Sequence, residues 1–388
     1  MRTSLALVAA AIIGAPLAAA ADVAALLTQI KAVGREGAGN PQAAQAWREL
    51  AQQGSEALPA ILAGLDDAHP IAANWLRCAV DTIAARELAA GRSLPAAALE
   101  AFVTDTRHAP RARRLAYEWL VRVDPTAPGR LLPGLADDPS TELRRDAVAV
   151  LIQNAEAIAA QGDKSAAVAA YRKALTSARD RDQVEAIAQA LKKFDVTVDL
   201  AAHFGFITDW LLAAPFDNTN GIGFAAVYPP EKGVDVNATY VGKNGLKFGW
   251  KPTTTSDPFG KVDLNKVIGK YMGVVGYGFA AVHSPTEQRV EVRAGTKNAV
   301  KIFVNGQEVF FREEYHHGMR MDQHVAPCTL RKGRNEILIK VCQNEQKEPW
   351  AQEWEFQLRV CDAVGGAVPL RVLSEKTAAG SSEGRVMP

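Results

Sequence analysis

The chain has 388 residues, of which 48% are apolar and 7% aromatic, and 44 Lys and Arg residues nearly balance 43 Asp and Glu residues. This much apolar material is enough to build full hydrophobic cores, so the composition excludes wholesale disorder and a dependence on disulfides. The formal net charge of +1 argues against a nucleic-acid binder that relies on a broad basic field. At about 150 residues per domain, the length predicts two domains.

Residues 1–21 have the pattern of a secretory signal peptide. Arg2 supplies the positive start, an apolar stretch follows from Leu5, and Ala19-Ala20-Ala21 provides a small-residue cleavage site. The alternative is an uncleaved anchor, but the apolar stretch falls short of the about 20 residues that span a bilayer. We therefore expect an exported protein, periplasmic or extracellular, with no membrane span after cleavage.

Residues 22–195 are rich in Ala and Leu and predict an α-helical domain. Leu-Pro pairs recur at Leu58, Leu94 and Leu132, about 37 residues apart, and a period of this size is typical of a helical solenoid. The expected fold class is therefore multidomain, with a helical solenoid preceding the second half of the chain.

The clearest unit of this array, from Leu131 to Leu151, resembles a HEAT repeat. It has the Asp-Pro turn of that family and an arginine early in its second helix, which Ser140 or Thr141 can cap. The resemblance covers about residues 56–155, and residues 157–175 are similar to a tetratricopeptide repeat. It implies a rigid spacer or a concave surface for a protein partner, and no catalytic role.

From residue 203, after a linker at 196–202, aromatic and β-branched runs between turn residues predict short strands. We expect these strands near residues 205–213, 246–251, 273–282, 289–294, 300–304, 308–312, 335–341 and 354–360. Asn305-Gly306 predicts a type I′ hairpin turn, because both positions of that turn need a positive φ. Such strands without long helices between them predict a jelly-roll β-sandwich over residues 203–373. Residues 374–388 are expected to be a disordered tail.

Two motifs in this half, Phe303–Gly306 and Leu330–Leu338, resemble a galactose-binding-domain-like jelly roll. They are especially similar to the non-catalytic sugar-binding domain of family 2 glycoside hydrolases, over about residues 285–362. The resemblance implies that Gly333-Arg334-Asn335 forms a tight turn into a core strand. With its helical repeats, the chain is similar to exported bacterial proteins of planctomycete type, whose function is not settled. The sequence lacks the barrel and the paired catalytic carboxylates of the glycosidases. The resemblance therefore does not imply hydrolytic activity.

The densest polar cluster of the sequence is the loop at 313–324, at the rim where such sandwiches bind ligands. A sugar site needs a flat aromatic side chain for stacking and groups that hydrogen-bond to vicinal hydroxyls. The candidate ligand-binding residues are Tyr315, His316, His317, Arg320, Asp322, His324, Glu345, Trp350 and Trp354. The alternative is a loop pinned by internal salt bridges, with its aromatics in the core, because Trp354 has the strand parity of Phe356 and Leu358.

Two sets of residues invite a metal, although neither has the spacing of an established site. The possible copper ligands are His316, His317, His324, Met319 and Met321. The possible oxygen donors for a structural calcium are Asp217, Asn218 and Asn220. We expect no cofactor and no resident metal.

The four cysteines show no spacing suited to zinc or to thiol catalysis. Cys78 stands in the first half, and Cys328, Cys342 and Cys361 stand in the second. Cys342 and Cys361 end two predicted strands. They are either a pair across adjacent strands or buried free thiols.

The sequence contains no nucleophile elbow, Walker loop or HExxH motif, which favours a protein without catalytic residues. The expected partner of the sandwich is a glycan or cell-surface polysaccharide, and the helical repeats are expected to act as a spacer or to dock a protein. Nucleic acid is not expected as a partner. Two alternatives stay open: a protein–protein scaffold without sugar binding, and a hydrolase with its site in the loop at 313–324.

Overall fold

The computed structural model describes residues 17–374, with side chains from Val23 onward. The predicted signal peptide, residues 1–21, lies outside the residues whose side chains are described. The predicted tail after Ser374 also lies outside the described residues. The chain divides into two compact units, Met1–Ala178 and Arg179–Pro388, called here the helical unit and the sheet unit. None of the helices in the described part of the chain is long and apolar enough to cross a bilayer.

The helical unit consists of helices in succession, several of which begin with a proline or a capped residue. Its α-helices are α1 (Leu17–Lys31), α2 (Asn40–Leu50), α3 (Leu58–Ala63), α4 (Pro70–Ala89), α5 (Ala96–Thr104), α6 (Pro110–Val123), α7 (Ala127–Leu131), α8 (Thr141–Ala160) and α9 (Lys164–Ser177). The hydroxyl of Ser140 accepts a hydrogen bond from the Leu143 amide at 3.4 Å, so of the two predicted caps Ser140 is the one used. Leu58, Leu94 and Leu132 are all buried near the start of a helical segment.

A buried ion pair joins two of these helical segments. The guanidinium of Arg113, with no exposed surface, binds both carboxylate oxygens of Asp138 at 2.8 and 2.7 Å and also the Val103 carbonyl at 2.7 Å. The same carboxylate accepts the Ser140 amide at 2.7 Å. The Asp-Pro turn that the sequence indicates is therefore tied to the preceding long helix by a charge-assisted, bidentate contact.

The sheet unit begins with two helices and continues mainly as β-strands. Its helices are α10 (Arg181–Lys192), α11 (Leu200–Phe204), α12 (Ile222–Ala225), α13 (Pro229–Lys232) and α14 (Leu264–Val267). Its strands are β1 (Asp209–Asp217), β2 (Tyr240–Val241), β3 (Lys247–Phe248), β4 (Lys251–Thr254), β5 (Val262–Asp263), β6 (Val274–Ser284), β7 (Gln288–Thr296), β8 (Ala299–Val304), β9 (Gln307–Arg312), β10 (His324–Leu330), β11 (Gly333–Gln343), β12 (Glu355–Cys361) and β13 (Arg371–Leu373). The sheet unit thus includes α10, whereas the sequence analysis groups these residues with the helical domain.

All strands except the β2–β3 pair belong to two antiparallel sheets that share one apolar core. The larger sheet has the order β4-β1-β6-β11-β8-β9, with β13 also on β6, and the smaller has the order β10-β7-β12-β5. Trp210 and Ile339 of the larger sheet and Phe356 and Leu358 of the smaller belong to the same buried cluster. The rings of Trp210 and Phe356 meet edge to face at 5.1 Å. The expectation of a sandwich-like second half is confirmed at this coarse level.

A second apolar cluster covers the opposite face of the larger sheet. Residues 218–250, called here the cover segment, contain α12, α13 and the β2–β3 pair. Their side chains pack on Phe216, Tyr277 and Phe279. This burial on both faces explains why β6 is almost continuously apolar rather than alternating.

Each of the eight predicted strands overlaps an observed one, whereas β2, β5, β10 and β13 were not predicted. Pro327 lies in the middle of β10, and a proline argues against a strand from sequence alone. In the structure β10 pairs only with β7, so it is an edge strand, where proline is tolerated. His324, predicted as the last loop residue, is therefore the first residue of β10.

The Asn-Gly hairpin is confirmed between β8 and β9. Asn305 and Gly306 have φ values of 53° and 78°, as a type I′ turn requires. The fully buried Asn335 connects this hairpin to β11, because its Oδ1 accepts hydrogen bonds from the Arg331 amide and from Asn305 Nδ2, both at 2.9 Å. Its Nδ2 donates to the carbonyls of Arg331 and Gly333.

Asn335→Ala is expected to lower the free energy of unfolding by about 2 kcal/mol, because it removes a fully buried amide that bonds the Arg331 amide and the carbonyls of Arg331 and Gly333. Urea denaturation of the full-length chain measures this. Gln307→Ala, on the exposed side of the same hairpin, is the matched control and should change it by less than about 0.5 kcal/mol. An Asn335→Ala protein as stable as the control would contradict this role.

All four cysteines are free thiols in the structure. Cys342 lies near the end of β11 in the larger sheet, and Cys361 is the last residue of β12 in the smaller sheet. The two cysteines are therefore not on adjacent strands. The sequence left open a disulfide between Cys342 and Cys361 or two buried free thiols, and the structure has two buried free thiols.

Candidate functional site

Several strands of the larger sheet end together, and the loops beyond them form the candidate site. Asp217 at the end of β1 and Gln343 at the end of β11 both lie opposite Val274, the first residue of β6. The loops that follow β1, β9 and β11 leave the sheet at this end. We call their side chains the rim, which consists of Asn218, Asn220, Tyr315, His316, Glu345 and Trp350.

Asn218 and Tyr315 form the inner part of the rim. The side-chain amide of Asn218, which has no exposed surface, donates to Tyr315 Oη at 3.2 Å and to the Gln343 carbonyl at 3.0 Å. Burial raises the pKa of Tyr315 to about 12, so its hydroxyl is neutral at physiological pH. The Oδ1 atom of Asn218 is buried and has no hydrogen-bond partner among the described residues.

Trp350 and His316 form the outer part. Trp350 is 59% exposed, and its ring meets the His316 ring edge to face with centroids 5.3 Å apart. His316 has a φ of 60° and donates its amide to the Lys297 carbonyl at 2.7 Å, which fixes the loop at this point. The exposed indole is thus held by a neighbouring ring on one side.

Gln343 positions the turn that bears Trp350. It is fully buried, donates its Nε2 to the Ala351 carbonyl at 3.0 Å and accepts from Asn298 Nδ2 at 2.8 Å. Ala351 belongs to the same short 3-10 turn as Trp350, Pro349–Ala351. Sequence reasoning missed Gln343, because nothing in a strand-terminal glutamine indicates which loop it will hold.

Glu345 and Asn220 are two further polar residues of the rim. Glu345 is exposed, and its Oε2 accepts the Asn220 amide at 3.1 Å. Lys243, which the sequence analysis also missed, donates to the Gly273 carbonyl at 2.7 Å. A Cβ at Gly273 would lie 2.7 Å from both Glu345 Cγ and Lys243 Nζ, and the positive φ of 62° at this position favours glycine.

One of the oxygens proposed for calcium, Oδ1 of Asp217, is occupied by hydrogen bonds. The Asp217 carboxylate accepts the Thr219 hydroxyl at 2.6 Å and the Thr219 amide at 3.0 Å, and the hydroxyl contact is the main reason that the pKa of Asp217 is lowered. Within residues 17–374, no group of three His, Cys, Asp or Glu side chains is arranged to hold a metal ion.

Two histidines of the suggested copper set, His317 and His324, contact each other, while His316 contacts Trp350. The rings of His317 and His324 are 5.9 Å apart at right angles, and Gln323 contacts His317 Nδ1. His324 is 8% exposed and packs on Phe310. Burial, assisted by the charges of His317 and of a neighbouring arginine, lowers the pKa of His324 to about 4.

Acid should destabilise the sheet unit through His324. Because its folded-state pKa lies below the ordinary 6.5, folding favours the neutral ring; this contribution is present above about pH 6.5 and is lost as the pH falls through about 4. Urea denaturation between pH 7 and pH 4 should show an extra loss of about 1 to 2 kcal/mol relative to His324→Gln. Equal pH slopes for the two proteins would contradict this assignment.

Asp322 is a correction to the predicted ligand set. Its carboxylate binds Arg293 Nη1 at 2.7 Å and Arg359 Nε and Nη2 at 2.6 and 2.5 Å. Burial pushes its pKa upward, but the hydrogen bonds and charges of the two arginines outweigh burial and lower the pKa. Both carboxylate oxygens are therefore engaged, so Asp322 holds the loop in place rather than facing a ligand.

Trp354 is the second correction. It has no exposed surface, and its indole N–H donates to the Val341 carbonyl at 3.1 Å, so it packs in the core and has no face to offer a sugar. The side chain of Arg320 is exposed on the same loop. Of the predicted residues, the structure brings together Tyr315, His316, Glu345 and Trp350.

No protein-family model matches the chain, and no curated protein matches it. Part of the chain is similar to two structures of a beta-glucosidase from Kluyveromyces marxianus. In the selenomethionine-labelled structure it shows 11% identity over 30% of this chain and 15% of that one, with a TM-score of 0.23. The complex with glucose gives 11% identity over 31% and 15%, with a TM-score of 0.22.

A third similar structure is a GH31 alpha-xylosidase from Xanthomonas citri, at 12% identity over 30% of this chain and 15% of that one, with a TM-score of 0.20. All three are glycoside hydrolase chains matched at low coverage. The present chain spans about 15% of the length of each.

Proposed function

We propose that this is an exported, non-catalytic binding protein whose rim engages a glycan or cell-surface polysaccharide. The observation that supports the proposal most is Trp350, a 59% exposed indole held edge to face by His316. A large aromatic side chain that stays exposed beside convergent polar groups is the usual mark of a binding site rather than of a core.

The chemistry of the rim suits a sugar. The flat, apolar C–H face of a pyranose ring stacks on an indole, while its hydroxyls need neighbouring donors and acceptors. Glu345 supplies carboxylate oxygens, and Tyr315 supplies a hydroxyl that stays neutral because its pKa is raised. No catalytic step is assigned to these groups.

The finer features of the architecture belong to the same proposal. We assign the helical unit to a HEAT-like solenoid that acts as a spacer or docks a protein, and the sheet unit to a jelly roll. The buried Leu58, Leu94 and Leu132, and the tie between Arg113 and Asp138, support the solenoid. The shared core of two antiparallel sheets supports the jelly roll.

Affinity electrophoresis of the full-length chain tests the sugar proposal. Gels containing xylan, mannan, cellulose derivatives or chitosan retard a protein that binds them, and we expect at least one of these to retard the native chain. Trp350→Ala should weaken that retardation at least tenfold, because it removes the stacking face. Phe311→Ala removes a similarly exposed aromatic residue from β9 and should leave the retardation unchanged. Equal retardation of the Trp350→Ala chain would place the site elsewhere.

A scaffold without sugar binding is the second candidate, and one surface of the helical unit favours it. Charged side chains on α4, α6 and α8 form a continuous row, in which Glu118 contacts Arg77 at 3.3 Å and Arg114 at 3.0 Å, and Arg114 contacts Asp146. Such a row across successive helices suits the surface of a protein partner whose charges are complementary to it. Salt-sensitive binding of a protein by the chain, lost in Arg77→Glu, would favour this candidate.

A further inference from the structure

A short exposed turn in the cover segment presents three polar side chains on one side. Val234, Val236 and Ala238 are half-buried and pack on the outer apolar cluster. The residues between them, Asp235, Asn237 and Thr239, are all exposed. Burial thus alternates along residues 234–239 and leaves Asp235, Asn237 and Thr239 accessible to solvent.

Backbone groups, the Asp235 carboxylate and the Trp250 indole hold this turn. The Ala238 amide donates to the Asp235 carbonyl at 3.1 Å, and the Asn237 amide donates to the Asp235 carboxylate at 2.9 Å, which makes an Asx turn. The indole N–H of Trp250 donates to the same carbonyl at 2.9 Å and fixes the turn to the sheet. Asn237 therefore stands at the tip of an ordered, accessible turn.

Residues 235–239 read Asp-Val-Asn-Ala-Thr and contain the acceptor motif of N-glycosylation, an asparagine followed two residues later by Ser or Thr with no proline between them. It is the single such motif in the 388 residues. Asn220 and Asn244 are also exposed, but leucine or isoleucine stands two residues after each of them. The motif and the accessible turn thus coincide at Asn237 alone.

We propose that Asn237 is the attachment site of an N-linked glycan, added when the chain is exported. In this step a bond forms between Asn237 Nδ2 and the anomeric carbon of a sugar carried on a lipid pyrophosphate. The bond from that carbon to the pyrophosphate oxygen breaks, one amide proton passes to a base of the oligosaccharyltransferase, and the lipid pyrophosphate leaves. Nothing is oxidised or reduced.

The exposed neighbours of Asn237 suit recognition by the transferase. The Thr239 hydroxyl supplies the hydrogen-bonding group that the motif requires. The Asp235 carboxylate, on the same exposed side, can pair with a cationic side chain of the enzyme. A glycan at this position projects from the cover segment into solvent, so the modification requires no rearrangement of the core.

Export of the full-length chain, leader included, from bacteria that contain an oligosaccharyltransferase and its lipid-linked oligosaccharide tests the proposal. Intact mass should increase by one glycan, and peptide mapping should place it on Asn237. Asn237→Gln and Thr239→Ala should abolish the mass increase, whereas Thr239→Ser should retain it. Asn244→Gln is the matched control at an exposed asparagine without the motif, and it should leave the increase intact.

A known glycoprotein exported from the same cells reports whether the transferase is active. If that reporter carries its glycan while the peptide with Asn237 is unmodified in the exported, folded chain, the proposal is wrong. A glycan found on another residue would also overturn it. Neither result bears on sugar binding at the rim, which is tested with Trp350→Ala.

Discussion

Replacing Asp322 with alanine is expected to lower the free energy of unfolding of the sheet unit by about 3 to 5 kcal/mol. The carboxylate of Asp322 is shared by Arg293 and Arg359, and the Arg359 side chain is 2% exposed. Arg359 also donates to the carbonyls of Phe204 and Gly365 at 2.9 Å, so it cannot turn toward solvent without breaking those bonds. Removing the carboxylate leaves a buried guanidinium without its counter-charge.

Urea denaturation of the full-length chain measures this loss. Asp322→Asn keeps the shape and one acceptor oxygen, so its loss should be smaller than that of alanine. Glu336→Ala removes a carboxylate from an exposed pair with Arg334 and should cost less than about 1 kcal/mol. If Asp322→Ala were as mild as Glu336→Ala, the loop would not depend on this network.

The second large effect is expected beneath the cover segment. Lys340, which has no exposed surface, donates to Glu231 Oε1 at 2.9 Å and to the Ala226 carbonyl at 2.6 Å. The Tyr277 hydroxyl also donates to Glu231; burial, and after it the charge of Glu231, raises the pKa of this tyrosine. Glu231→Ala removes the counter-charge of a buried ammonium and should cost about 3 to 5 kcal/mol.

A double variant separates charge from packing at this position. Lys340→Met with Glu231→Leu replaces the pair by apolar side chains of similar size, and such replacements are often close to neutral. We expect the double variant to regain most of the stability that Glu231→Ala loses in urea denaturation. A double variant no more stable than the single one would mean that Glu231 acts through its shape or its contact with Tyr277, not through the ion pair.

The local patterns of the sequence predicted the strands well but did not predict which charged residues pair. The Asn305-Gly306 turn needs only two residues with positive φ, so two letters suffice to predict it. Lys340 and Glu231 are 109 residues apart, and Arg359 and Asp322 are 37 apart. Which charges become buried together depends on sheet order and on the cover segment, and neither can be read from local periodicity.

Only part of the candidate site was predicted, because its long-range contacts cannot be read from local patterns either. Tyr315 and His316 were predicted because polar residues are dense in one loop, and Trp350 because a sugar site needs a flat aromatic side chain for stacking. Trp354, four residues later, was included although its strand parity with Phe356 already indicated the core. Asn218 entered the sequence analysis only as an oxygen donor, because its contact with Tyr315 spans 97 residues.

A glycan-array screen of the exported full-length chain, beside Trp350→Ala, tests the central claim most directly. The account predicts binding to one class of sugar by the native chain and loss of that binding in the variant, with unchanged urea denaturation of both proteins. A native chain that is folded by the same denaturation measurement and binds no glycan on the array would contradict the sugar proposal and favour the scaffold.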